Sequence, residues 1–313
     1  MTSWRCTVIR RPRDRSASVR DGSAMAPMVF RAMANRALAV LGRGVLPVDT
    51  PIARADDAGL TRGDGMFETI HVRYGTPWQL DEHLARMEGS ARILGIDLPP
   101  AAALAELVDQ VLTDAHDDEE VAVKVVCTRG PEGADEPTVF ATMFDVSPAQ
   151  RAGRRDGIAV VSVTLGVSAD VRAGAPWLLG GAKTLSYAVN MAALRHAAAA
   201  GADDALLVSS EGSVLEAPTA TVVWAAGGAL CTVPVDTGIL AGTTVNYLLD
   251  RAGELGLSAD RRRIQLDDLY AADEAWLCSS VRGAARIVQL DGKPIGEKGL
   301  TPGVQELLGF PSK

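Results

Sequence analysis

Cysteine is scarce: Cys6, Cys127, Cys231 and Cys278 are the 4 in 313 residues, and they lie far apart. No two stand at the spacing of a zinc finger or a disulfide framework. Neither a cross-linked secreted scaffold nor a structural metal site is indicated, and a reducing cytoplasm is expected. An excess of positive charge is missing too. The formal net charge is -8, which leaves no broad positive field to attract nucleic acid or an anionic membrane. No apolar run approaches the roughly 18 residues that span a bilayer. The nearest candidate, around Met191 to Ala200, is alanine interrupted by Arg195 and His196. His71, His83, His116 and His196 are scattered and make no metal-ligand set, and His83 is expected to be structural. Phosphate loops of the GxxxxGK[ST] form, HExxH helices and GxSxG elbows are also absent, which removes the common one-line enzyme motifs.

What remains is an ordinary globular composition, 47% apolar and 22% charged, long enough for one large domain or two medium ones that act on small molecules. Residues 1–27 are rich in Arg and Ser and have no apolar secretory core. They are expected to be a disordered leader outside the fold, or the product of an early start with Met25 or Met28 as the true one. The fold class expected is α/β, with a small N-terminal α/β domain over 28–147 and a polar, basic linker over 148–157. A larger mixed α/β domain over 158–313 follows.

The first part contains "DGMFETIHVRYGTPWQL", two strands around a Gly75-Thr76-Pro77 turn. Leu84, Met87, Ala91 and Leu94 then recur at helical spacing behind Asp81 as N-cap, and Leu104, Leu107, Val108, Val111 and Leu112 repeat the pattern. Strands are expected at "EVAVKVVCTRG" and "PTVFATMFDVS", and in the second part at "IAVVSVTL", "DALLVSS", "ATVVWAA", "LCTVP" and "EAWLCSS". Helices are expected after Lys183 and after Gly242.

Chemistry concentrates around "GGAKTLSYAVNMAALRHAAAA". Lys183 stands between a glycine pair and an alanine-rich helix. A solvated lysine is the bland reading. The positive end of a helix dipole, however, disfavours a cation, and glycines clear space for something flat. An unprotonated lysine so placed is what condensation with an aldehyde cofactor needs.

Four separated runs, "DDAGLTRGDGMFETIHVRYGTPWQLDEHLARMEGSARILGI", "AKTLSYAVNMAALRHAAAAGADDALLVSSEGSVLEAPTATVVW", "TGILAGTTVNYLLDRA" and "DEAWLCSSVRG", together resemble the fold-type IV pyridoxal-phosphate enzymes. That group includes branched-chain aminotransferases, D-amino-acid transaminases and aminodeoxychorismate lyases. The resemblance implies a two-domain fold with a C-terminal pseudo-barrel, pyridoxal 5'-phosphate as cofactor, and a homodimer. It implies Lys183 as the Schiff-base lysine and Glu216 as the acid facing the pyridine nitrogen, where a carboxylate keeps the ring an electron sink. Arg86 resembles the phosphate-binding arginine, although an arginine four residues after Glu82 is also an ordinary helix-surface pair. Thr243 and Thr244, where a loop opens a helix, look like the rest of a phosphate cradle, with Thr243 as a plain N-cap the alternative. Ser280 and Ser279 look like a further phosphate or substrate contact, and Glu68 matches an active-site-facing strand position. Tyr187 is expected one helical turn after Lys183, on its face and in reach of the cofactor, with an ordinary half-buried tyrosine the alternative.

All members begin by exchanging the lysine for the substrate amine and removing a proton from the carbon that bears it. Transamination or elimination follows according to the substrate. "GDGMFETI" is closer to the lyase and D-amino-acid branch than to the "FEG" form of branched-chain aminotransferases. "CTRGPEGADEPTV" keeps Arg129 as a carboxylate contact but continues with acids, and Val245 stands where an arginine is usual. The reading is therefore an aminodeoxychorismate lyase, with a D-amino-acid or branched-chain aminotransferase as the alternative. A binding protein that has lost catalysis is the remote one.

Overall fold

A computed structural model describes residues 35–113, 115 and 120–310. The expected leader over 1–27, and His116, lie outside the described residues. In chain order the first half contains β1 (Asn35–Val40), β2 (Gly44–Leu46), α1 (Ala58–Arg62), β3 (Gly65–Arg73), β4 (Thr76–Pro77), α2 (Leu80–Leu94), α3 (Ala101–Leu112), β5 (Val121–Thr128), β6 (Thr138–Asp145) and α4 (Pro148–Asp156). The second half contains β7 (Ile158–Thr164), α5 (Val171–Gly174), α6 (Ala188–Ala199), β8 (Asp204–Val208), β9 (Thr221–Ala226), β10 (Ala229–Thr232) and α7 (Thr243–Asp250). It ends with β11 (Ser258–Arg261), α8 (Leu266–Tyr270), β12 (Glu274–Ser279), β13 (Gly283–Leu290), β14 (Lys293–Pro294) and α9 (Thr301–Leu307).

The first half is built on a 6-stranded sheet in the order β2-β1-β6-β5-β3-β4, every neighbour antiparallel. Its period-2 alternation gives each strand two faces. Met66, Ile70 and Val72 of β3 and Val121, Val123, Val125 and Cys127 of β5 join one core with Leu84, Met87 and Ala91 of α2 and Leu104, Leu107, Val108 and Val111 of α3. Those helix positions recur every three or four residues because one stripe of each helix meets the sheet. The opposite face carries Phe67, Thr69, Lys124 and Phe144.

The β3–β4 turn falls one residue earlier than expected. Tyr74 and Gly75 are its centre, with φ +50° and +72°, the left-handed pair that a two-residue hairpin requires. Asp81 lies inside α2 instead of capping it, since the helix starts at Leu80 with Gln79 as N-cap.

The second half is an 8-stranded mixed sheet in the order β11-β10-β9-β12-β13-β7-β8, with β14 on β13. The central strand β13 was not expected from its sequence, "GAARIVQL". It becomes a strand by antiparallel pairing to β12 on one side and parallel pairing to β7 on the other. The polar stretch expected as a linker is also ordered. Ser147 caps α4 through a capping box with Gln150, and Arg154 is buried, so the connection between the sheets is a packed helix. Among the described residues no helix is long and apolar enough to cross a membrane.

Candidate active site

A cavity of about 600 Å³ lies between the exposed face of the first sheet and the strand ends of the second, a size usual for small-molecule sites. Lys183 reaches it along an extended strip and not from a helix. The Phe67 N–H donates to the Lys183 carbonyl at 3.1 Å and the Leu185 N–H to the Gly65 carbonyl at 2.8 Å. Thr184 bridges Met66 antiparallel, and the Lys183 N–H donates to Ser90 Oγ on α2 at 3.0 Å. Backbone groups committed to β3 cannot also begin a helix, so α6 starts only at Ala188 with Tyr187 at its N-cap. The expected helical relation between Lys183 and Tyr187 is therefore wrong, and so is the placement of Lys183 at a helix N-terminus. The two side chains still meet: Lys183 Nζ lies 5.7 Å from the Tyr187 ring centroid and 4.3 Å from that of Phe67. Burial lowers the Lys183 pKa to about 8; the charge of Glu68 and Glu216 opposes the shift and that of Arg86 adds to it.

Glu216 faces the same cavity. Its Oε2 accepts from the Leu240 N–H at 3.0 Å, and its Oε1 accepts from Arg172 Nη1 at 3.3 Å. Burial pushes this carboxyl up, while Arg172, the Leu240 N–H and Lys183 pull the other way. Arg172 has no sequence signal. In "SADVRAGAP" it reads as a surface residue, and only the fold sets it against Glu216.

At another part of the wall Arg86 and Glu68 form a bidentate pair, with Nε to Oε1 and Nη2 to Oε2 both at 2.7 Å. The alternation of β3 turns Glu68 under α2, on the side opposite Phe67 and Thr69, so its carboxylate is fully buried against Arg86 and His83. The expectation that Glu68 faces the active site is corrected accordingly. Burial raises its pKa, but Arg86 and His83 outweigh that and hold it at about 2.

A carboxylate only accepts hydrogen bonds, so His83 donates through Nδ1 to Glu68 Oε2 at 2.7 Å. Its Nε2 is then the acceptor for the Ser280 hydroxyl at 3.2 Å. Arg86 Nη1 donates to the Ala241 carbonyl at 3.0 Å. Two of the five guanidinium N–H groups remain for a ligand.

Beside it α7 opens with Thr243 and Thr244, both lining the cavity. Gly242 is the N-cap, so Thr243 is the first helical residue. The Thr244 hydroxyl is buried and has no hydrogen-bond partner. A free hydroxyl, the first N–H groups of a helix and a pre-set arginine therefore stand together as hydrogen-bond donors on one wall of the cavity.

Ser279 and Ser280 line the cavity, and Ser280 is held by the His71 N–H and by His83. Arg129 is not brought in. It forms a surface pair with Asp64 and donates to the Leu94 and Gly95 carbonyls at the end of α2. Lys124, unmarked in the sequence, does face the cavity, 5.5 Å from the Phe67 ring and 5.8 Å from that of Phe144. Among the described residues it has no carboxylate partner, and burial lowers its pKa.

Residues 65–290 match the family described as amino-transferase class IV. A bifunctional aminodeoxychorismate lyase / D-amino acid transaminase of Mycobacterium tuberculosis (strain H37Rv) is 39% identical over 259 residues, 80% of this chain and 89% of that protein. A D-alanine aminotransferase of Bacillus licheniformis is 31% identical over 81% of this chain and 89% of its own length. The solved structure of a hypothetical aminotransferase from Mycobacterium tuberculosis, in a form with α-ketoglutarate and PMP bound, is 37% identical. It superposes with a TM-score of 0.85 over 87% of this chain and 97% of that one. The match spans both sheets and carries Lys183, Glu216 and the Arg86–Thr244 wall within it: the chain belongs to the class IV aminotransferase family of enzymes.

Proposed function

We propose that the chain is a pyridoxal 5'-phosphate enzyme whose main reaction converts aminodeoxychorismate to p-aminobenzoate and pyruvate. The observation that carries this reading is one cavity holding a buried amine at Lys183, a carboxylate at Glu216 and an unpartnered Thr244 hydroxyl beside Arg86. Arg86, Thr244 and the first N–H groups of α7 would hold the phosphate, and Glu216 would hold negative charge toward the ring nitrogen. When bound, the cofactor supplies an aldehyde for the substrate amine and a ring that accepts the electrons of the bond broken next to it. Lys183, part of it unprotonated at neutral pH, takes and returns the proton at that carbon. Lys124 offers an unpaired cation to a substrate carboxylate, which suits an anionic amino substrate.

A second reading, transamination of a D-amino acid, is favoured by the Mycobacterium tuberculosis relative named for both activities. Arg129, the sequence candidate for a substrate carboxylate in either reaction, pairs with Asp64 outside the cavity and does not separate the two readings. The reading also carries a cytoplasmic homodimer, checked by cell fractionation and by light scattering on a sizing column.

The decisive assay supplies aminodeoxychorismate without an oxo acid, then D-alanine with 2-oxoglutarate. Production of p-aminobenzoate in the first supports the lyase; turnover only in the second replaces it with the transaminase. A protein that turns over neither, or whose Lys183→Ala variant retains full turnover, ends both.

A further inference from the structure

Glu216 is useful to a ring nitrogen only if it is both ionised and aimed, and burial works against the first. Its two oxygens are each held by one donor, Leu240 N–H on Oε2 and Arg172 Nη1 on Oε1. The backbone donor is fixed by the chain. The guanidinium must be brought in by a scaffold, and the structure has one.

Arg172 sits on the single turn α5. Arg263 clamps that turn to the neighbouring 3-10 turn Val235–Thr237, reaching Asp170 Oδ1 at 2.5 Å and Asp236 Oδ1 at 3.4 Å. Gly238 closes the 3-10 turn with φ +75°, and a Cβ there would lie 2.5 Å from the Arg172 Cβ. Gly180, three residues before Lys183, packs less tightly but still closely: a Cβ on it would lie 3.2 Å from Gly238 Cα and 3.3 Å from the Arg172 carbonyl. Gly181 ties the layers by donating its N–H to the Gly238 carbonyl at 3.0 Å. Of the two glycines ahead of Lys183, Gly180 therefore clears room for the Arg172 backbone, and Gly181 supplies the hydrogen bond. The same close packing fixes the strip that carries the lysine.

Among the described residues Glu216 is the one carboxylate within ion-pair reach of Arg172, and both side chains are mostly buried, 18% and 16% exposed. A carboxylate gripped at both oxygens cannot rotate away, and a neighbouring fixed cation favours its charged form.

We propose that Arg172 is the positioning residue that keeps the Glu216 carboxylate charged and directed at the ring nitrogen of the bound cofactor. This rests on the pyridoxal-phosphate reading above.

The test is a double-mutant cycle on cofactor affinity, read by absorbance titration of the cofactor-free protein with pyridoxal 5'-phosphate. The proteins are the parent, Arg172→Met, Glu216→Gln and the double variant, with Arg172→Lys as the conservative replacement. Arg172→Met is expected to weaken binding about tenfold, the equivalent of one pKa unit of lost preference for the charged acid. Arg172→Lys should restore most of that affinity. In the Glu216→Gln background the Arg172→Met change should be nearly silent, since the interaction it removes is already gone.

An equal loss in both backgrounds overturns the proposal, because Arg172 would then act on the fold and not through Glu216. Parent-like affinity in Arg172→Met overturns it as well. A parent that does not bind pyridoxal 5'-phosphate sinks the functional reading and this one together. Circular dichroism shows which variants fold, and Arg172→Gln replaces Arg172→Met in the cycle if the methionine variant does not.

Discussion

Replacing Lys183 by Met should change how stability depends on pH, and the size of the change follows from where the amine sits. Burial lowers its pKa from 10.5 to about 8 in the folded protein, while the unfolded chain keeps the ordinary value. Between those two pH values the unfolded state holds more protons at this position than the folded state. This group therefore adds stability as pH rises through the window and costs stability below it. The slope is about 1.4 kcal/mol per pH unit and the total about 3 kcal/mol.

Lys183→Met lacks the titration but shares every other ionisable group, so the parent should gain on the variant by that amount between pH 8 and 10.5. Urea midpoints of the cofactor-free proteins, followed by circular dichroism at half-unit steps of pH, give the difference directly. A difference that stays flat over the window would show an amine solvated like any surface lysine, and the argument for a pre-formed nucleophile would fail. The same shift leaves about a quarter of the amine unprotonated at pH 7.5, against about one part in a thousand for an ordinary lysine, so capture of the aldehyde should be correspondingly faster.

Arg86→Ala strands the Glu68 carboxylate in the core and should cost about 3–5 kcal/mol in urea unfolding, with the Arg86→Ala/Glu68→Ala double variant losing less. Glu68 is held at about 2 against an ordinary 4.5, so its contribution is complete above pH 4.5 and is lost as pH falls through 2. Thr244→Val removes a hydroxyl with no protein partner. It should leave cofactor-free stability within about 0.5 kcal/mol and weaken pyridoxal 5'-phosphate roughly tenfold in a binding titration; unchanged affinity would remove Thr244 from the phosphate site. Arg129→Ala breaks a half-exposed pair outside the cavity and should cost no more than about 1 kcal/mol of stability with turnover within about twofold of the parent. A large loss of turnover would return Arg129 to the site.

The helices α2 and α3 were legible because their apolar spacing needs only a sheet to lie against, and β5 through β10 because β-branched runs stand between turn signals. β13 was not legible: its alanines, arginine and glutamine have no strand preference, and it is ordered by the ladders on either side. Lys183 stands out in the sequence, but its local setting does not. Its glycines and the alanine run suggested a helix N-terminus, whereas β3 captures the backbone from Lys183 to Leu185 and delays the helix to Ala188. Glu68 shows the same limit. Its place in "FET" was visible, but which face of β3 it occupies depends on the register with β5, and that register puts it under α2.

By itself the sequence determined the inventory: one family of enzymes, a lysine, a buried-type carboxylate, an arginine and a threonine pair, in a fixed order along the chain. Those follow from residue types and local spacing, which a linear string contains. Only the tertiary structure decided which of them share a cavity, that Arg172 pairs with Glu216, that Glu68 pairs with Arg86, and that Arg129 stays outside. Each of these depends on distance and burial between residues far apart in sequence, and it is burial that sets whether an amine or a carboxyl carries charge.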